Sequence, residues 1–395
     1  MQPRDCRPIR KRESLGFKGS KWGTPVVRIS TFDDWTDYFR QWQKDIGLDA
    51  AQFEGYAFEA KFGAVASDVI EFGDYAGRPK WETALQIPDQ RVRDALLHLI
   101  TYQGDTEFAS VEQQRSLLHT APSEHDLQSA LRIMREEMRH GVQMSYLLVK
   151  YFGSSGKLEA QKLLERRAFE NSRLLGAFNQ DIQDWLDFYC YTEFVDRDGK
   201  FQLTMLRHSG FKPLAASMIP MLQEESYHLL TGHSGLTRVL KAGKIPVRII
   251  QKYINKWFSV ALDLFGVDNS SSAYWFYVWG LKGRYDERSA SAPADKDRLN
   301  ELSREHYLHE VRGLIEALNR LIPENGARLT LPDPRFNRSI GEHAGKPYST
   351  AGELMPPDAY AAHLAEALPD DKDKAELAGF LKQSDWVAAA AVDGR

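Results

Sequence analysis

The feature that most restricts what this chain can fold into is a pair of Glu-x-x-His steps, Glu137/His140 in LRIMREEMRH and Glu225/His228 in MLQEESYH, each set inside an apolar stripe. Residues three apart on an α-helix project from adjacent turns of one face, so each pair can grip a single cation. Around the first pair Leu127, Ala130, Met134, Gly141, Met144 and Leu148 mark a face bound for a core. Leu214, Met218, Met221 and Gly232 do the same around the second. Buried charge without a partner is costly, so ionisable groups in such stripes need one another or a metal.

Each pair follows another inward carboxylate. Leu96, Ile100, Gln103, Glu107 and Ser110 fall at spacings of three and four, and Asp196 follows Ile182, Trp185 and Tyr189. Glu107 precedes Glu137 by 30 residues and Asp196 precedes Glu225 by 29, the span of one antiparallel helical hairpin. Two hairpins make an all-α four-helix bundle. The second helix starts at TAPSEHD, where Ser123 and Asp126 form a capped first turn, and Gly153 stops it. The third runs from about 180 to 207 and the fourth from near Pro213. KLEAQKLLERRAFE reads as a connecting helix, and PVRIIQKYINKWFSVALDLFG and a segment at 297–321 as additional helices. RSASAPADKD reads as a loop. The expected division is an N-terminal extension packing on the bundle (1–87), the bundle and its following helix (88–285), and a C-terminal helix with an irregular tail (286–395).

One carboxylate from each first helix and a Glu-x-x-His from each second helix is the ligand set of ferritin-like dimetal proteins. The candidate ligands are Glu107, Glu137, His140, Asp196, Glu225 and His228. Four carboxylates with two imidazoles suit iron or manganese better than zinc or copper. Two such ions together can deliver two electrons to dioxygen. The third carboxylate is open between Glu193 and Asp196, one turn apart in YTEFVDRDGK; hairpin spacing favours Asp196 and leaves Glu193 to hydrogen-bond a ligand histidine. Asp198 points elsewhere. Gln103 either lines a cavity or is a satisfied buried amide.

The competing reading is that these are solvated ion pairs, since charged residues at helical spacing usually face water. Met134, Met138, Met144, Met218 and Met221 beside the acids argue for an interior. The other nine histidines are expected at the surface, and Cys190 in the core. Arg166, Arg167, Arg335, Arg338 and Lys346 could hold an anionic substrate, although solvated arginines are commoner. A ferritin-like iron store or a radical generator using Tyr189 or Tyr191 are lesser options.

Composition excludes several classes. A net charge of −4 over 395 residues gives no global reason to expect nucleic acid. Two cysteines, Cys6 and Cys190, cannot build a disulfide framework, which points to a reducing, cytoplasmic setting. No stretch is apolar enough to span a membrane, and MQPRDCRPIRKRE leads into no apolar leader segment.

Long strings carry a resemblance: QGDTEFASVEQQRSLLHTAPSEHDL, LLERRAFENSRLLGAFNQDIQDWLDFYCYTEFVDRDGKFQL, and LDLFG with GLKGR are similar to the oxygenase components of benzoyl-CoA 2,3-epoxidases. The similarity is strongest from about 91 to 284. It implies a di-iron centre on Glu107, Glu137, His140, Asp196, Glu225 and His228, and so favours Asp196 over Glu193. It also implies epoxidation of the aromatic ring of an aryl-CoA thioester, with dioxygen and with electrons from NADPH through a flavin and iron-sulfur reductase. EEMRH and QEESYH depart from that family at non-ligand positions, so a related monooxygenase or N-oxygenase on another aromatic or carrier-bound acid is the alternative.

Overall fold

The structure, a computed structural model, describes residues 28–390. Cys6 and the basic N-terminal stretch, on which the expectation of no leader rests, lie outside the described residues. Among those described there is no β-strand, only three isolated bridges, and no helix is long and apolar enough to cross a membrane.

Four long helical segments form the bundle. After α1 (Phe32–Asp45), which lies across its outside, come α2 (Gln90–Gln114) and α3 (Glu124–Tyr151), the first hairpin. Ser123 caps α3 by accepting from the Asp126 amide, as the TAPSEHD pattern predicts. Gly153 takes φ +55° where α3 stops, and a shorter helix, α4 (Gly153–Glu165), starts there, four residues ahead of the expected connecting helix. The third bundle segment is α5 (Trp185–Tyr191), a π-turn (Thr192–Asp196) and α6 (Arg197–Leu206), running without a break. The fourth is α7 (Lys212–Ala242), with Pro213 in its first turn. Both hairpins pack through α3 and α7, giving the ferritin-like arrangement.

Outside the bundle lie α8 (Val247–Leu264), α9 (Ser271–Val278) and α10 (Leu299–Asn319). The tail, expected to be irregular, contains two more helices, α11 (Pro357–Ala367) and α12 (Asp371–Leu381). Alternating Ala and Leu with charges carries their helical period, and Asp370 caps α12 with a capping box. One buried cluster runs from Ile29 and Trp35 through the bundle to Trp386, so the flanking segments share the bundle's core. Trp35, Phe39 and Trp42 on α1 stack in a row and meet Phe108 of α2. The five methionines beside the acids are all fully buried, as is Cys190.

Two close approaches set how the second hairpin sits. A Cβ on Gly232 would come within 2.5 Å of Thr192 Oγ1 and 2.7 Å of the Glu193 nitrogen, so only glycine lets α7 lie against the π-turn. Next to it, Asp126 accepts from Tyr189 Oη at 2.8 Å and pairs with Arg238 Nη1 at 3.2 Å, tying α3, α5 and α7 together.

Candidate metal centre

The bundle interior brings the six polar residues singled out by spacing into one buried cluster. Donor atoms of Glu107, Glu137 and His140 lie within 4.8 Å of one another, as do those of Glu137, Asp196 and His228. Glu137 belongs to both groups and stands between them. His140 Nδ1 is 3.3 Å from Glu107 Oε2, and His228 Nδ1 is 3.3 Å from Glu225 Oε2 and 3.5 Å from Glu137 Oε1. The imidazole centroids are 6.1 Å apart. Asp196 joins the cluster, and the π-turn that ends at it sets its direction: five residues in that turn rotate the chain differently from an α-turn.

Several atoms of the cluster approach one another at ion-pair distance without forming a hydrogen bond. His140 Nδ1, His228 Nδ1, Asp196 Oδ2 and Glu225 Oε2 are buried without a hydrogen bond among the described residues. Buried polar atoms are normally satisfied, so four orphans converging from four different residues mark a place for cations. Burial first, and then the Glu107, Glu225 and Asp196 carboxylates, push the Glu137 carboxyl well above the usual carboxylate range. Burial and Glu225 do the same to Asp196. Glu107 remains low although burial opposes it, because His140 and the Gln103 amide contact its oxygens. Bound cations would relieve the crowding of four carboxylates, and donors of this kind fit hard or borderline ions.

The outer contacts are reciprocal between hairpins. His140 on α3 meets Glu224 of α7 at 2.9 Å through Nε2, and His228 on α7 meets Glu136 of α3 at 3.0 Å through Nε2. Each carboxylate accepts the Nε2–H, so in the neutral imidazole Nδ1 is the atom that carries the lone pair a cation would need. Arg139 Nε donates to Glu224 at 3.0 Å, and Arg132 Nε donates to Glu136 at 2.9 Å. Burial would raise the Glu224 carboxyl, but the His140 and Arg139 contacts together hold it down at about 2. Sequence reading missed Glu136 and Glu224, although the signal was present: each directly precedes a candidate ligand in an EE pair.

Glu193, expected to support a ligand histidine, does not touch His140 or His228. It is fully buried, pairs with Arg197 at 3.2 Å and meets His233 Nδ1 at 3.1 Å. The π-turn separates it from the ligand side of the helix. Gln103 has both of the roles considered for it: its Nε2 donates to Glu107 Oε1 at 2.5 Å, and it lines a cavity. That cavity, about 340 Å³, is also lined by Glu107, Glu137, Asp196 and Glu225 and by apolar groups including Leu99, Phe178, Leu206, Phe265 and Phe276.

Two other expectations change. His208 is fully buried rather than at the surface, wedged where the segment around Gly283 crosses the end of α6. Four of the basic residues considered for an anion are committed to carboxylates: Arg166 to Asp105 and Glu159, Arg167 to Asp45 and Glu112, Arg335 to Asp333, and Arg338 to Asp263. Tyr189 is turned away to Asp126, whereas Tyr191 lines the cavity.

Comparison with known proteins identifies the family. The family model described as "Phenylacetic acid catabolic protein" matches residues 81–330, a stretch that contains all six clustered residues. Benzoyl-CoA oxygenase component B of Aromatoleum evansii is 36% identical over 375 residues, covering 82% of this chain and 78% of the relative. One of the subunits of the 1,2-phenylacetyl-CoA epoxidase of Escherichia coli (strain K12) is 22% identical over 267 residues, covering 66% and 78%. The chain therefore belongs to the phenylacetic acid catabolic protein family, as a relative of benzoyl-CoA oxygenase component B.

Proposed function

We propose that this chain is the oxygenase component of a multi-component aryl-CoA monooxygenase, holding two iron ions on Glu107, Glu137, His140, Asp196, Glu225 and His228. The observation that carries the reading is the convergence of four buried donor atoms without a hydrogen bond, two imidazole nitrogens and two carboxylate oxygens, in a cluster whose carboxylates line a largely apolar cavity. When bound, two ferrous ions supply the electrons that reduce dioxygen beside the substrate. Oxygen transfer to the ring, leaving an arene epoxide on the thioester, is the outcome we assign.

The chain's own residues prepare that chemistry. Glu137 stands between the two groups of donors and can serve both ions. Glu136 and Glu224 hold the imidazoles in one tautomer and one orientation. Gln103 fixes the Glu107 carboxylate. Leu99, Phe178, Leu206, Phe265 and Phe276 exclude water from the place where the ring would lie.

Both relatives are named as one part of a larger system, the first as a component of its oxygenase and the second as one of the subunits of its epoxidase. We assign the electrons to NADPH, delivered through a partner flavin and iron-sulfur reductase, and place the protein in the cytoplasm, in keeping with a buried free thiol at Cys190. The test is to load the purified chain with iron, count metal per chain, and add reductant, oxygen and benzoyl-CoA. Two irons per chain and a ring-oxygenated thioester are expected. Fully loaded protein that leaves aryl-CoA thioesters unchanged would overturn the reading.

A further inference from the structure

The cavity has a second polar pole to which the dimetal reading assigns no task. Asp198, which helical spacing directs elsewhere, lines it with Gln202 and Lys282, together with Asp196 and Glu225. Lys282 Nζ donates to Gln202 Oε1 at 2.7 Å, while Gln202 Nε2 donates to Asp198 Oδ1 at 2.9 Å. An ammonium on one side and a carboxyl on the other fix the orientation of the amide. Lys282 Nζ thus spends one donor on Gln202 and makes no other hydrogen bond among the described residues, which leaves two N–H groups.

Two of its three residues, Asp198 and Gln202, stand on α6. Asp196 and Gln202 are six residues apart, about 9 Å of helix rise. Gly199 lies between them, where an added Cβ would be 3.8 Å from Glu225 Oε1. Asp196 and the Asp198 and Gln202 side of this pole are therefore mounted on one continuous helical segment, and Lys282 reaches Gln202 from the chain that follows α9. The walls in between are apolar, with Met205, Leu206, Val267 and Phe276. Lys282 is half-buried, and desolvation lowers its ammonium to about 8. A donor in such surroundings hydrogen-bonds strongly to any acceptor that a ligand brings.

We propose that Lys282, held by Gln202 and Asp198, donates a hydrogen bond to the acyl carbonyl oxygen of the substrate and thereby fixes which ring carbons rest against the metal-facing carboxylates. This rests on the aryl thioester reading above. A phosphate is a poor occupant for this pole, because Asp198 stands beside Lys282, the one cationic side chain among the described residues that lines the space. A neutral carbonyl meets no such repulsion. Gln202 is a positioning residue, since it acts through Lys282.

Equilibrium binding to the full-length, metal-loaded chain under anaerobic conditions tests this without turnover. Two ligands are compared: benzoyl-CoA, and S-benzyl-CoA, in which a methylene replaces the carbonyl. The intact chain should bind benzoyl-CoA about 10- to 100-fold more tightly than the thioether, the range of one charge-assisted hydrogen bond. Lys282→Met should bind the thioether as the intact chain does and lose the preference for the carbonyl, a change in ratio that general destabilisation would not produce. If Lys282→Met fails to fold, Gln202→Leu decides, with a several-fold smaller preference expected. An intact chain that binds both ligands equally, or a variant that keeps the full preference, overturns the proposal and leaves the aryl-CoA reading standing. Failure of the intact chain to bind either ligand removes that reading and the proposal with it.

Discussion

Glu224 and His140 meet across the two hairpins, with the carboxylate oxygen 2.9 Å from Nε2, although Glu224 is the immediate neighbour of Glu225, which faces the centre. Glu136 does the same for His228 at 3.0 Å. Each second helix thus supplies its own candidate ligands and the support for the histidine of the other. Neither hairpin can assemble its half alone, so the centre reports on the packing of α3 against α7.

Replacing a supporting carboxylate should therefore weaken metal binding without removing a ligand. Glu136→Gln and Glu224→Gln are each expected to lower iron affinity by about 10- to 100-fold, measured by competition with a chelator. Glu224→Gln should also lower the melting temperature more than Glu136→Gln does. It strips the charge partner from Arg139, which is fully buried, whereas Arg132 is half in solvent. Unchanged affinity in both variants would sink the supporting role.

Asp196 and Glu193 should separate cleanly. Asp196→Asn is expected to reduce bound metal from about two ions to about one, because it alters a donor with an orphaned oxygen in the cluster. Glu193→Gln should keep both ions and cost about 1–3 kcal/mol in urea unfolding, since it weakens the buried contacts to Arg197 and His233. Metal analysis beside unfolding curves distinguishes the two, and the reverse pattern would make Glu193 the ligand.

Acid sensitivity should have an identifiable source in His208. Its ring is fully buried with both nitrogens unpartnered, and burial followed by Arg288 and Arg207 lowers it to about 4; Lys80 adds to that, while Glu71, 3.8 Å away, opposes it. The folded state thus binds the proton more weakly than the unfolded chain, whose histidine titrates near 6.5. The stability is complete above about pH 6.5 and is lost as pH falls toward 4, at up to about 1.4 kcal/mol per unit. His208→Phe should flatten that part of the stability curve. An identical slope in denaturant titrations of variant and parent between those pH values would refute it.

The approach of α2 to α3 beside the centre depends on Gly141. A Cβ there would fall 2.5 Å from the Phe108 ring. Gly141→Ala is expected to cost about 1–3 kcal/mol by overpacking. Because Gly141 follows His140, the variant should also bind metal more weakly than its loss of stability alone would require. Full metal affinity in a folded Gly141→Ala chain would show that the helix can shift without disturbing the histidine.

Much of this architecture was legible in the sequence because helical period and hydrophobicity are local properties. The faces of α2, α3 and α7 read directly from their stripes, and Glu137/His140 and Glu225/His228 read from i, i+3 spacing. Asp196 was favoured by hairpin length, yet the π-turn that aims it is a backbone irregularity with no periodic signal. The helices α11 and α12 were hidden by the Pro- and Gly-rich residues around them.

What the sequence by itself determined is which residues share a helix face, and hence that two carboxylate and two Glu-x-x-His faces had to be buried together or not at all. Only the tertiary structure decided who supports whom: Glu224 with His140, Glu136 with His228, Glu193 with His233, and Lys282 with Gln202. These partners are 84, 92, 40 and 80 residues apart in the chain. The period of a helix fixes neighbours within a few residues, whereas pairs this distant meet only when the packing of one helix on another brings them into contact.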